Sequence, residues 1–74
     1  MQTTYRYIRV RQIGQNVTYA ELKRYDDGKD TGMGASRSYQ GNLVTWSDNM
    51  VTTDFNGFVR TFDVNGFIIS QYRK

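Results

Sequence analysis

Aromatic and basic residues alternate along two neighbouring stretches near the N-terminus. Alternate positions of a β-strand face the same side, so two paired strands would gather these side chains on one outward face. The residues assigned to this face are Tyr5, Tyr7, Arg9, Arg11, Tyr19, Lys23 and Tyr25, with Glu21 as its only acid. Aromatic rings stack on bases and basic side chains neutralise phosphates. The pattern therefore predicts a non-enzymatic module that binds nucleic acid, preferably single-stranded.

The same residue types also fit two other functions. Tyr and Arg are enriched at the energetic centres of protein interfaces, which gives the alternative of a protein-binding inhibitor or accessory factor. A phage-encoded blocker of a host defence complex is one example, because a short chain without Cys is typical of phage and mobile-element proteins. Tyr is also simply a good strand residue, so the face could have no specific partner. No stretch matches a nucleic-acid-binding signature such as the RNP motifs.

Residues 26–40 are rich in Gly and Asp and show no apolar periodicity. We expect an irregular loop here, either functional or merely mobile, with a short edge strand over residues 36–40. Arg37 lies in this segment and is added to the candidate binding residues.

The acidic and glycine-rich parts of this segment match no known chemical motif. Counting from Asp26, the twelfth position of a calcium loop would be Arg37, where an EF-hand needs Glu. Gly32 and Gly34 lack the Lys-Ser or Lys-Thr that closes a phosphate-binding loop. The chain has no His and no Cys, which removes zinc sites, thiol nucleophiles and the usual acid-base residue. We expect no enzyme activity, no metal and no cofactor.

Two Asn-Gly pairs, Asn56-Gly57 and Asn65-Gly66, specify hairpins in the last third of the chain. Asn and Gly adopt the positive φ that a type I′ turn requires at both central positions. Two-residue turns give the pairs Phe55–Phe58, Thr53–Arg60, Val51–Phe62, Val64–Phe67, Phe62–Ile69 and Arg60–Gln71. One face would then be a core face that carries Val51, Phe55, Phe58, Phe62, Val64, Phe67 and Ile69. The opposite face would carry Thr52, Asp54, Val59, Thr61, Asp63, Ile68, Ser70 and Tyr72.

Arg60 is the exception on the predicted core face. It would form a polar row with Thr53 and Gln71, and a buried charge must be hydrogen-bonded or lie at the rim. Arg60 is therefore either a rim residue whose stem covers Phe rings or a ligand-facing residue at the mouth of a barrel.

Asp48-Asn49 predicts one more tight turn, which pairs Trp46 with Val51 and Val44 with Thr53. Residues 42–73 would then form a four-stranded meander in one consistent register. For the whole chain we predict an all-β fold, an antiparallel meander of five to six strands in a curled sheet or small open barrel.

The N-terminal part predicts a further hairpin around residues 14–16. Residues 3–13 alternate as a strand with Ile8 and Val10 on the inner side. A three-residue loop pairs Ile8 with Leu22, Val10 with Ala20, Arg9 with Glu21 and Tyr5 with Tyr25. The alternative is an α+β fold with a short helix at residues 18–25 on a four-stranded sheet, because Thr18 and Glu21 have the spacing of a capping box.

The chain of 74 residues predicts a single small domain of marginal stability. Dimerisation would increase the stability of so small a domain, and uncovered strand edges make a homodimer possible. Neither a long apolar run nor an apolar signal core is present, so we expect a cytoplasmic protein without a membrane partner. The net charge of +3 permits a nucleic-acid partner without requiring one.

Overall fold

The computed structural model describes residues 2–74, which form seven antiparallel strands. The strands are β1 (Thr3–Gly14), β2 (Val17–Asp26), β3 (Lys29–Gln40), β4 (Asn42–Trp46), β5 (Val51–Phe55), β6 (Phe58–Phe62) and β7 (Ile68–Arg73). The predicted all-β antiparallel fold is confirmed, with seven strands in two sheets instead of five to six strands in one. The helix alternative for residues 18–25 is wrong, because this segment lies inside β2 and its burial alternates with a period of two. Within the described residues there is no helix with the length and apolarity to cross a membrane.

The strands divide into two sheets that share one core. The first sheet has the order β1-β2-β3 and the second has the order β4-β5-β6-β7, and across residues 2–74 they do not close into a barrel. The core contains Tyr7, Val10, Ala20, Leu22, Tyr39 and Val51, with Tyr5, Ala35, Leu43, Phe62 and Val64 packed against it. The first sheet therefore has one face toward the core and one face outward.

The predicted irregular loop over residues 26–40 is wrong for most of its length. Only Asp27 and Gly28 form a turn, both with positive φ, and β3 then pairs with β2 from Asp26↔Lys29 to Val17↔Gln40. The segment has few apolar side chains, and backbone hydrogen bonds to β2 hold it as a strand instead. The expected strand over residues 36–40 is confirmed as the end of this longer strand.

The first Asn-Gly hairpin has the predicted geometry. Asn56 and Gly57 have φ of 52° and 81°, and all three predicted pairs of β5 and β6 are present. The Asp48-Asn49 turn also pairs Trp46 with Val51 as predicted. A bulge at Val44 then shifts β4 by one position, so that Leu43 replaces Val44 opposite Thr53.

The second Asn-Gly pair is not a two-residue turn. One carboxylate oxygen of Asp63 accepts the backbone N–H groups of Asn65 and Phe67, both at 2.9 Å, and the Asp63 N–H donates to the Phe67 carbonyl. The wider connection is accompanied by a bulge at Ile69, which shifts only the start of β7. Phe62 therefore pairs with Ile68 instead of Ile69, while the predicted pair Arg60–Gln71 is retained.

The predicted core face of the meander is right at one end and wrong at the other. Val51 is fully buried and the Phe62 ring stacks on Tyr39 with a centroid distance of 4.4 Å. Phe67 and Ile69 are exposed, because β7 is the edge strand and neither sheet covers it. Val59, assigned to the opposite face, is buried.

Candidate functional site

The outward face of the first sheet presents most of the predicted binding residues. We call this the outer face and define it by Arg6, Arg9, Arg11, Tyr19, Glu21, Lys23 and Tyr25. Thr18, Ala20 and Leu22 are buried in the core, so the alternate residues of β2 point outward. Their partners on β1 share the same side: Arg11 lies opposite Tyr19, Arg9 opposite Glu21 and Arg6 opposite Lys23.

A β-bulge at Ile8 decides which β1 residues reach the outer face. The predicted pairs Val10–Ala20 and Arg9–Glu21 are present, but Tyr7 replaces Ile8 opposite Leu22. The extra residue reverses the alternation. Tyr7 therefore turns into the core, while Arg6 joins the outer face and Ile8 is left exposed.

The predicted outward position of Tyr7 is wrong. Its hydroxyl oxygen lies 2.6 Å from that of Tyr39 and donates to the backbone carbonyl of Asp63. Burial raises the pKa of Tyr7 far above its ordinary value, and the hydrogen bond with Tyr39 adds to this effect. Burial also raises the pKa of Tyr39. The pair is neutral and connects the two sheets.

Tyr5 and Arg37 also lie on the core side of the first sheet. Tyr5 pairs with Arg24 instead of Tyr25, is half-buried and packs against the core. Arg37 Nε donates to the Val64 carbonyl at 3.1 Å, and its guanidinium lies 5.9 Å from the centre of the Tyr5 ring. Arg37 supports the connection between β6 and β7 through this hydrogen bond, and neither residue belongs to the outer face.

Arg60 lies in the second sheet, apart from the other candidates. Its Nε donates to the Gln71 side-chain oxygen at 3.0 Å, and its guanidinium is 5.6 Å from the centre of the Phe58 ring. The rim interpretation is confirmed. The barrel-mouth interpretation does not apply, since the described strands form two open sheets.

Four basic side chains give the outer face its positive charge. Lys23 Nζ lies 2.7 Å from a carboxylate oxygen of Asp30, and this contact raises the pKa of Lys23 and lowers the pKa of Asp30. Arg6 lies over the Tyr25 ring at 4.9 Å from its centre. Asp30 therefore holds Lys23 in an ion pair, and Arg6 and Tyr25 form a stacked pair that presents both a charge and a planar surface.

Arg6 is the functional candidate that the sequence pattern missed. In an unbroken strand it falls on the same side as Ile8 and Val10, which assigns it to the core. An arginine at a predicted core position was itself a signal that the alternation breaks nearby.

A shallow groove of about 490 Å³ lies at one end of the first sheet, lined by Gln15, Asn16, Val17, Ser38, Tyr39, Gln40 and Phe55. Its lining contains amides, a serine hydroxyl and apolar side chains but no charged group. Among residues 2–74 there is no cluster of three or more Asp and Glu side chains arranged to hold a metal ion.

Compared with protein-family models, curated proteins and solved structures, the chain shows no significant match.

Proposed function

We propose that the protein is a non-enzymatic module that binds nucleic acid through the outer face. The observation that supports this most is the line of Arg6, Arg9 and Arg11 along β1, which the bulge at Ile8 brings to one side of the sheet. Three guanidinium groups in a row can contact successive phosphates, and Arg is well suited to this because its planar fork donates several hydrogen bonds.

Single strands are the preferred ligand because the outer face also contains Tyr19 and Tyr25. The two residues are six positions apart on β2, a distance of about 20 Å along a strand. Unpaired bases can stack on tyrosine rings and on the Arg6 guanidinium, whereas the bases of a duplex are stacked on each other and not accessible in this way.

Fluorescence anisotropy with a labelled single-stranded oligonucleotide tests the proposal. We expect an affinity that falls steeply with salt, and Arg9→Ala or Arg11→Ala should each reduce the slope of log K against log salt by about 0.7. Arg60→Ala is the matched control, because it removes the same charge from β6 in the other sheet. An unlabelled duplex should compete less well than an unlabelled single strand.

Asp30→Asn tests the same proposal by a substitution that should strengthen binding. The substitution removes a negative charge and releases Lys23 from its ion pair, so binding should become tighter and the salt slope steeper. No binding at any salt concentration, or equal losses of affinity for Arg9→Ala and Arg60→Ala, would exclude the proposal.

A protein partner is the second candidate, and two exposed isoleucines favour it. Ile8 and Ile13 are 53% and 55% exposed on the strand that carries the arginines. Apolar side chains beside Arg and Tyr fit a protein interface. In this case the chain acts as an inhibitor or accessory factor, for example as a phage-encoded blocker of a host defence complex. Nuclease treatment of a pull-down distinguishes the two, since only capture through nucleic acid is lost.

A further inference from the structure

The last strand of the second sheet has an apolar edge. β7 is at the end of the strand order, and all six of its residues are exposed. Ile68, Ile69 and Tyr72 are 50%, 59% and 60% exposed, and Phe67 just before the strand is 70% exposed. An edge of this kind is a template for another strand.

The direction of the backbone groups can be derived from the pairing with β6. The Lys74 N–H donates to the Gly57 carbonyl at 2.7 Å, toward β6. In an antiparallel ladder the backbone N–H and C=O groups of successive residues point alternately to one side and the other. The backbone groups of Tyr72 and Ser70 therefore also point toward β6. The N–H and C=O groups of Gln71 and Arg73 therefore point away from the sheet.

The other edge strands are β1, β3 and β4, and each is better protected than β7. In β3 a register shift between Asp30 and Gly34, with Gly32 at positive φ, interrupts the edge. In β1 the bulge at Ile8 and the three arginines oppose pairing, and the Tyr7 N–H donates to the Asp48 carbonyl. In β4 the bulge at Val44 breaks the edge, and the Leu43 N–H donates to the Gln12 side chain. β7 also has a bulge, at Ile69, but it pairs regularly with β6 from Ser70 to Arg73, where the proposed interface is centred.

We propose that β7 is a homodimer interface, at which two copies of the chain pair antiparallel about a two-fold axis at Gln71. This register places Gln71 opposite the partner's Gln71 and overlaps residues 68–74 of both copies. The central pair exchanges two backbone hydrogen bonds through the outward groups. Identical edges related by a two-fold axis close on each other without leaving a new edge at the interface, and the two four-stranded sheets become one sheet of eight strands.

Charge favours the antiparallel arrangement of two copies. Arg73 would lie opposite the partner's Ile69, and Lys74 would lie opposite the partner's Ile68, so like charges do not meet. Lys74 is also paired with the carboxylate of Asp54 in its own chain. A parallel pairing would instead place the basic ends side by side, where they would repel.

Sedimentation velocity over a wide range of protein concentration tests the proposal with two substitutions at one position. Gln71→Pro removes an outward N–H but no bond to β6, whereas Gln71→Ala keeps the N–H; both lose the side-chain contact with Arg60. The wild type and Gln71→Ala should form dimers at high concentration. Gln71→Pro should raise the dissociation constant at least about tenfold, because the dimer loses its central pair of backbone hydrogen bonds.

Two substitutions of opposite charge at Ile69 test the register of the dimer. This test does not depend on whether the proline variant folds. Ile69→Lys faces the partner's Arg73 and should weaken the dimer, while Ile69→Glu should retain or strengthen it, with about a threefold to tenfold difference between the two. A monomer at every concentration, assembly beyond the dimer, or identical dissociation constants for the two variants would overturn the proposal.

Discussion

The Tyr7 hydroxyl is the single group that joins the most distant parts of the chain. It contacts Tyr39 in β3 and the Asp63 carbonyl after β6, so it links both sheets. The Tyr7 side chain is buried to 2% exposure, its contact with the Tyr39 hydroxyl is also buried, and a buried hydroxyl that loses its partner is costly. The hydroxyl therefore contributes to stability and fixes the direction of β1 at the bulge.

Tyr7→Phe should lower the free energy of unfolding by about 1 to 3 kcal/mol at neutral pH, because the buried Tyr39 hydroxyl loses its hydrogen-bond partner. The raised pKa of Tyr7 also predicts a pH dependence. The unfolded chain releases the phenol proton near pH 10 while the folded chain retains it, so this stability is present below about pH 10 and is lost as the pH rises further.

Urea titrations at neutral and alkaline pH measure both effects. Tyr7→Phe should lose less stability than the wild type on going to alkaline pH, whereas Tyr72→Phe, at an exposed site, should follow the wild type. If all three proteins lost the same free energy of unfolding between neutral and alkaline pH, the role assigned to the Tyr7 hydroxyl would be contradicted.

At the scale of elements, Gly41 forms the crossing between the two sheets. It follows β3 directly and precedes β4, with φ of +125°. Its N–H donates to the Asn16 carbonyl at 2.6 Å, and its carbonyl accepts from the buried Thr18 hydroxyl at 2.9 Å. The turn between β1 and β2 thereby holds the crossing in place.

Gly41→Ala should reduce the free energy of unfolding by about 2 kcal/mol or more, because this φ is costly for a residue with a Cβ. The added Cβ would also lie 3.0 Å from both the Asp54 carbonyl oxygen and the Thr53 Cβ. Gly14→Ala is the control, since a Cβ there meets nothing within 4 Å. Denaturant unfolding compares the two, and equal losses would show that the crossing does not depend on glycine.

Local turn chemistry predicted the hairpins, but it could not predict where the strands shift register. Asn56-Gly57 needs only its own two residues to form a type I′ turn. The bulge at Ile8 instead depends on Tyr7 reaching Tyr39 and Asp63, which are far away in sequence. The Asp63 side chain likewise overrides Asn65-Gly66.

Register shifts set by distant contacts also explain which residues of the candidate site could be predicted from the sequence. Arg9, Arg11, Tyr19, Lys23 and Tyr25 lie on the outer face as expected, because Val10–Ala20 and its neighbours keep the predicted register. On the N-terminal side of the bulge, Arg6 lies on the outer face and Tyr7 lies on the core side, which is the reverse of the prediction. Arg37 was placed in an irregular segment with only a short edge strand over residues 36–40, because the composition of the segment does not reveal that all of β3 pairs with β2.

At the scale of the whole molecule, the two sheets depend on one small core. The sequence has 74 residues, and the contacts between the sheets include the stacked rings of Tyr39 and Phe62 and the hydrogen bonds from Tyr7 and Arg37 to the chain after β6. A three-stranded or four-stranded sheet with one face uncovered would expose most of its apolar side chains. Neither sheet should therefore persist without the other.

We expect the two sheets to unfold in one cooperative transition, and the distribution of aromatic residues allows this to be measured directly. Trp46, the only tryptophan, lies in β4 of the second sheet, and five of the six tyrosines lie in the first sheet. Tryptophan fluorescence and tyrosine absorbance should give coincident urea transitions at low protein concentration. Phe62→Ala should lower both midpoints together, because its ring contacts Tyr39 across the core. A tyrosine transition separate from that of Trp46 would mean that the first sheet, with its arginine-lined outer face, is an independent folding unit.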